Sequence, residues 1–165
     1  MSNSGRPAKF WVSAWLPVFV AICLVAIEST SYFGADRTSG PLRRIWESLF
    51  GPVSDRAWHI IHVLIRKSGH FTGFGSVGLT WLRAWRMTLP HAPFIRVEML
   101  AMIGTAIVAS ADEYHQSFLP NRTSSPRDVL LDCIGALVMI SIVHLVLRKR
   151  RSDARRSGQF VSVVD

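Results

Sequence analysis

Charge is scarce in this chain, and long stretches carry none. Asp, Glu, Lys and Arg make up 18% of the residues, against about 25% in a typical soluble domain. Acidic residues are the scarcer sign, 11 against 19 basic. Cysteine is nearly absent. Cys23 and Cys133 both fall inside apolar runs, which excludes a disulfide framework and a cysteine-based metal site. No alternating strand pattern is evident, and no Gly-rich loop follows a strand, which excludes phosphate binding of the P-loop or dinucleotide type. Neither an internal repeat nor a second domain is visible in 165 residues.

What is present is apolar. Hydrophobic residues make up 49% of the chain and the mean hydropathy is +0.26. The first run, Phe10 to Ile27, is 18 residues without a charge and follows Arg6 and Lys9; a spanning helix needs about 20. The basic start is that of a signal peptide, but the run is long for one. It ends Ile27-Glu28-Ser29 with no small-x-small cleavage site, so a retained helix is expected. Further runs cover Ser68 to Trp85, Val97 to Ala111 and Val129 to Leu147. Between the first two, residues 29–40 read as loop. Leu42 to Phe50 and Val53 to Ile65 read as short amphipathic helices at the membrane interface, divided by Gly51-Pro52. In the second run, Gly69 and Gly73 have the four-residue spacing of a helix contact face. The predicted fold is an all-α membrane protein: a bundle of about four transmembrane helices, with short interfacial helices between the first and second spans. It occupies residues 10–147, and a basic, disordered tail follows over 148–165.

The net charge of +8 sits beside the apolar runs. It therefore points to anionic lipid and not to nucleic acid. Four spans put both termini on one side. The short turn bearing Arg83, Arg86 and Arg96, together with the basic tail, places the Lys and Arg excess on that side, so both termini are expected in the cytoplasm.

With that topology the ionisable residues at span ends fall on the outer end of the bundle. Glu28 closes the first span, and Lys67 and His70 open the second. Asp112, Glu113, His115 and Gln116 close the third, and Asp128 and Asp132 open the fourth. Such groups cost roughly 2.5–3.5 kcal/mol each at the centre of a membrane and are functional suspects. Asp132 lies a full turn inside its span and needs a partner; Lys67, Arg122 and His70 are the candidates. Two readings remain open. One is a polar pocket, in which Lys67, Arg122 and Arg127 bind an anion while His70 or His115 acts as general base beside Asp112 or Glu113. The other is a salt-bridge network that holds the helices in register. His70, His115, Asp112 and Glu113 include good metal-ligand types, but no strict ligand spacing supports a site, so no metal and no cofactor is expected. His59 and His62 belong on an interfacial helix face, and His144 is expected to be a satisfied bundle residue.

These residues carry a resemblance. Lys67-Ser68-Gly69-His70-Phe71 is followed by Asp112-Glu113-Tyr114-His115-Gln116-Ser117-Phe118-Leu119-Pro120-Asn121-Arg122-Thr123. Asp128-Val129 and Gly135-Ala136 come next, and Glu28-Ser29-Thr30 precedes them all. Together they resemble the VanZ-like family over nearly the whole chain outside the tail. Asn121 stands where the family often has Gly, and it tolerates the left-handed turn that Gly would take. Asp132 stands where Asn is common, which puts a charge deeper in the bundle.

The resemblance implies a small multi-pass protein of the bacterial cytoplasmic membrane. It also implies a link to the cell envelope, since the founding member is tied to teicoplanin resistance. It supplies no reaction, and the phosphotransbutyrylase label attached to some members has no support in these residues. The first functional expectation is a pocket of Glu28, Lys67, His70, Asp112, Glu113, Gln116, Arg122, Asp128 and Asp132 that binds a lipid-linked or glycopeptide headgroup. The alternatives are a membrane hydrolase or transferase using His70 or His115, and a structural or partner-binding protein with no ligand.

Overall fold

The structure, a computed structural model, describes residues 5–161 apart from Asn121 and Thr123, so the turn assigned to Asn121 lies outside the described residues. All regular elements are helical: α1 (Ala8–Glu28), a short 3-10 turn (Ser31–Phe33), α2 (Ala35–Phe50), α3 (Asp55–Thr88), α4 (Phe94–Gln116) and α5 (Pro126–Val161). The loop between α4 and α5 falls where Pro120 and Pro126 break the apolar pattern. α5 runs on as helix into the basic segment that begins at Arg148.

α3 is the central element and packs against α1, α4 and α5. Two apolar layers fill the bundle. One joins Leu82, Val97, Ala101 and Ile140, and the other joins Phe74, Val77 and Ala109. Trp15 of α1 sets its ring edge-on against Trp81 and Trp85 of α3. The outer surface is apolar. Ile95, Met99, Ile103 and Ile107 form an exposed stripe along α4, one residue per turn. Phe19 and Leu24 on α1 and Leu137 and Leu145 on α5 are also exposed. Meanwhile Thr105, Asp112, Glu113, Gln116 and Asp132 are buried. Apolar surface outside and polar groups inside is the arrangement that suits lipid as solvent.

Three helical segments are long and apolar enough to cross a membrane: Ala8–Glu28, Phe94–Gln116 and Pro126–Ala154. α3, which carries the second run, does not reach that apolarity by itself. Its place at the centre of the bundle explains why, because Trp58, His62, Gly75, Gly78 and Thr88 are buried against other parts of the chain. At 34 residues it is about 51 Å long, against roughly 30 Å of hydrocarbon, so its N-terminal third extends past the bundle.

Two expectations change here. Val53 to Ile65 is not a separate interfacial helix but the start of α3: Ser54 caps it, and no Gly or Pro interrupts it before Gly69. A fall in hydropathy does not end a helix; a cap or a breaker does. Residues 35–40 are helical and not loop, with Asp36 in the positive first turn of α2. Gly51 ends α2 at φ 86°, a left-handed value that glycine takes without strain.

The close helix contact also lies elsewhere than Gly69 and Gly73. A Cβ at either would meet nothing within 4 Å. The contact is made by Gly75 and Gly78 of α3, against Gly135, Ala136 and Met139 of α5; a Cβ on Gly78 would stand 2.8 Å from that of Ala136. Gly104 of α4 lies flat against the Trp81 ring, where a Cβ would come within 2.7 Å. The small residues allow the backbones to approach, as membrane helices require.

Candidate functional site

One end of the bundle gathers the C-termini of α1 and α4, the N-terminus of α5 and the middle of α3. Lys67 Nζ lies 2.7 Å from Asp128 Oδ1. The pair is exposed on the lysine side, and such pairs contribute roughly 0–1 kcal/mol. Lys67→Ala is therefore expected to shift the thermal midpoint of the purified protein by no more than a degree or two. A larger fall would mean that this pair holds the helices in register.

One turn deeper, His70 Nδ1 lies 3.3 Å from Asp132 Oδ1. Asp132 has no solvent exposure, and neither of its carboxylate oxygens has a hydrogen-bond partner among the described residues. Of the three partners considered for Asp132, His70 is the one beside it. The contact is at ion-pair distance but is not aligned as a hydrogen bond. On α4, Gln116 Nε2 donates to Asp112 Oδ2 at 2.8 Å, which leaves the buried Asp112 Oδ1 without a partner. Glu113 Oε2 accepts from the backbone N–H of Ser125 at 2.8 Å.

Arg122 comes from the loop after α4. Its Nη2 donates to the carbonyls of Glu28 and, at 2.7 Å, Thr30, so it ties that loop to the end of α1. Its Nε is buried and unpartnered. Burial, with the charge of Arg66 added, pulls the guanidinium pKa below its ordinary value, while Asp112, Glu113 and Glu28 act the other way.

Two cavities meet at this end. The first, of about 170 Å³, has Val25, Phe33, Leu42 and Phe74 on its walls, with Gly69 and Gly73 opening space between them. The second, of about 580 Å³, has Asp36, His59, His62, Lys67, Glu113 and Asp128 on its walls. Arg66, His70, Gln116 and Arg122 border both. The space is therefore graded, from apolar beside α1 to charged under α2.

Most of the residues singled out in the sequence come together here. Two do not. His115 faces α1 instead, with Nδ1 2.9 Å from Ser29 Oγ, and it borders neither cavity. Arg127 is exposed and borders neither cavity. Arg66 and the α2 residues of the second cavity were not singled out. The signal for them was the spacing of His59, His62 and Arg66, which share one helix face once the segment is continued into α3. His62 Nε2 lies 3.1 Å from Thr38 Oγ1 of α2.

The opposite end of the bundle does simpler work. There His144 Nδ1 lies 2.6 Å from Glu98 Oε1, and Arg6 and Arg83 donate to backbone carbonyls of neighbouring helices. Chemically, an imidazole with a carboxylate at one nitrogen and its other nitrogen available to a cavity is equipped as a general base or as a metal ligand.

A family model described as VanZ/LLP1 matches residues 14–147, which takes in every residue that borders the two cavities. No curated protein and no solved structure matches the chain.

Proposed function

The chain belongs to the VanZ/LLP1 family, and from that premise we propose that it binds an amphiphilic envelope molecule with an anionic headgroup. The observation that carries this reading is the shared border of the two cavities: an apolar chain fits beside Val25, Phe33 and Phe74, and a headgroup beside Arg66 and Arg122. An arginine fork recognises a phosphate or carboxylate through two donors at once. In this reading the protein sits in the bacterial cytoplasmic membrane with both termini in the cytoplasm and the cavities on the outer side. The ligand is a lipid-linked or glycopeptide headgroup, and the role is in envelope homeostasis or resistance.

A second reading, a membrane hydrolase or transferase, is favoured by the carboxylate beside His70 and predicts turnover with a bell-shaped pH dependence.

The test of the binding reading is ligand-induced stabilisation. A ligand at one hundred times its Kd stabilises the folded state by about 2.7 kcal/mol. The detergent-solubilised protein is expected to melt higher with undecaprenyl phosphate, phosphatidylglycerol or teicoplanin. Gly73→Leu is expected to fold with wild-type stability, because the position is open, but to lose that response because the side chain fills the apolar cavity. An unresponsive wild type, or an equal response in Gly73→Leu, would reject binding in this cavity.

A further inference from the structure

We propose that His70, Asp112 and Glu113 form a site for one divalent cation of the Mn²⁺ or Zn²⁺ class. One potential ligand atom from each lies within 4.8 Å of the other two. A tetrahedral site with bonds of about 2.0–2.1 Å holds its ligands roughly 3.3 Å apart, so side-chain rotations alone can close the set.

The surroundings of each residue support the assignment. A metal-binding histidine usually turns its second nitrogen to a carboxylate, which fixes the ring; here Nδ1 of His70 faces Asp132 and leaves Nε2 for the ion. Asp112 has Oδ2 held by Gln116, and its Oδ1 is buried without a partner. Glu113 has Oε2 held by the Ser125 N–H, with the Ser124 hydroxyl also at the carboxylate, so a cation at Oε1 would share that oxygen with Ser124 or displace it. Asp112 and Glu113 are thus each anchored through one oxygen, and His70 stands at ion-pair distance from Asp132 with its second nitrogen to offer.

Charge points the same way. Three carboxylates surround one imidazole: Asp112 and Glu113 retain 7% and 4% exposure, and Asp132 none. Of the nearby cations, Lys67 is paired with Asp128, while Arg122, whose Nη2 is bound to the carbonyls of Glu28 and Thr30, keeps its charge and offsets only part of this excess. Buried carboxylates without compensation are costly, and a dication supplies the missing charge. The mixed donor set suits Mn²⁺ through its carboxylates and Zn²⁺ through its imidazole.

Three protein ligands leave a coordination position open. His70 and Asp112 both border the apolar cavity, so an anionic oxygen held by Arg122 could take that position. This last step rests on the binding reading; the cation site does not.

The test uses the full chain in detergent, freed of metal by chelation and titrated with Mn²⁺ followed by electron paramagnetic resonance, then with Zn²⁺ in competition. One Mn²⁺ per chain is expected, with pulsed spectra showing coupling to an imidazole nitrogen. Asp112→Asn and Glu113→Gln should each weaken binding at least about 100-fold. Asp132→Asn, acting through His70 as a positioning residue, should weaken it about 10–100-fold, and Arg96→Ala, at an exposed position at the opposite end of the bundle, should change it less than about twofold.

Absence of stoichiometric Mn²⁺ and Zn²⁺ binding overturns the proposal. So does unchanged affinity in both carboxamide variants. If the variants fail to fold, the wild-type spectrum decides: bound Mn²⁺ without imidazole coupling overturns the site. No lipid is present in this titration, so metal binding by a protein that ignores every amphiphile would reject the binding reading and keep the cation site.

Discussion

Gly135→Ala is expected to cost about 3 kcal/mol or more, a larger loss of stability than removal of any exposed charge in the chain. A Cβ at this position would stand 2.2 Å from the carbonyl oxygen of Phe71, 2.9 Å from its carbonyl carbon and 3.1 Å from its Cα. All three atoms are backbone, so no side-chain rotation relieves the contact, and α3 and α5 must move apart. Alanine is the better helix former by about 1 kcal/mol, which opposes the clash without matching it. Overpacking a close contact costs roughly 1–3 kcal/mol and sometimes more; a rigid partner puts this case at or above the upper end. In a chain of this size that is a fall in thermal midpoint on the order of 5–10 °C. The internal control is Gly73→Ala, where a Cβ meets nothing within 4 Å and the midpoint should stay or rise slightly. Gly135 is one turn from Asp132, and Phe71 adjoins His70, so the same shift should also disturb the His70–Asp132 pair. Equal melting of the two alanine variants would mean that α3 and α5 do not approach this closely.

That pair of glycine predictions also shows where the sequence was readable and where it was not. The apolar runs that became α1, α4 and α5 were legible because lipid demands uncharged length, and charge-free length is visible in a single strand of text. α3 was legible only in part. A helix surrounded by other helices has no need of a uniform apolar surface, so the segment from Asp55 showed as an amphipathic helix, but its continuity with the second apolar run thirteen residues on left no hydropathy signal. The choice of contact glycines failed for a related reason. Gly69 with Gly73 and Gly75 with Gly78 both share a helix face within their pair, and only the position of α5 decides which pair is packed. The site was legible as a set of residues at one end of the bundle, because span ends are easy to place. Its internal pairing was not: Gln116 on Asp112 follows from four-residue spacing, but His70 beside Asp132 joins two helices, and nothing in one sequence fixes their rotation. His115 shows the limit plainly. It lies two residues after Glu113, which puts it on another face of α4, toward Ser29 of α1.

Arg122 carries the second large expected effect, because in the proposed reading one side chain serves both the loop and the ligand. Its Nη2 donates to two carbonyls, those of Glu28 and Thr30, and a hydrogen bond from a charged donor contributes about 1.5–3 kcal/mol. Arg122→Ala removes both and leaves two carbonyls to find water near the membrane surface. The variant should melt several degrees lower. It should also bind an anionic amphiphile about 10–100-fold more weakly, or about 1.4–2.7 kcal/mol. Arg122→Lys separates the two roles. Lysine restores the positive charge beside Arg66 but not the planar fork. It should recover part of the affinity, more at low salt than at high salt because the remaining attraction is screened, while the midpoint stays near that of the alanine variant. Thermal melting and ligand titration of the same two proteins at two ionic strengths measure both quantities. If both variants melt low yet bind the amphiphile as the wild type does, Arg122 is a tether for the loop and the headgroup lies elsewhere. If both melt as the wild type and lose affinity alike, the fork is spent on the ligand, and its bonds to α1 do not hold the fold.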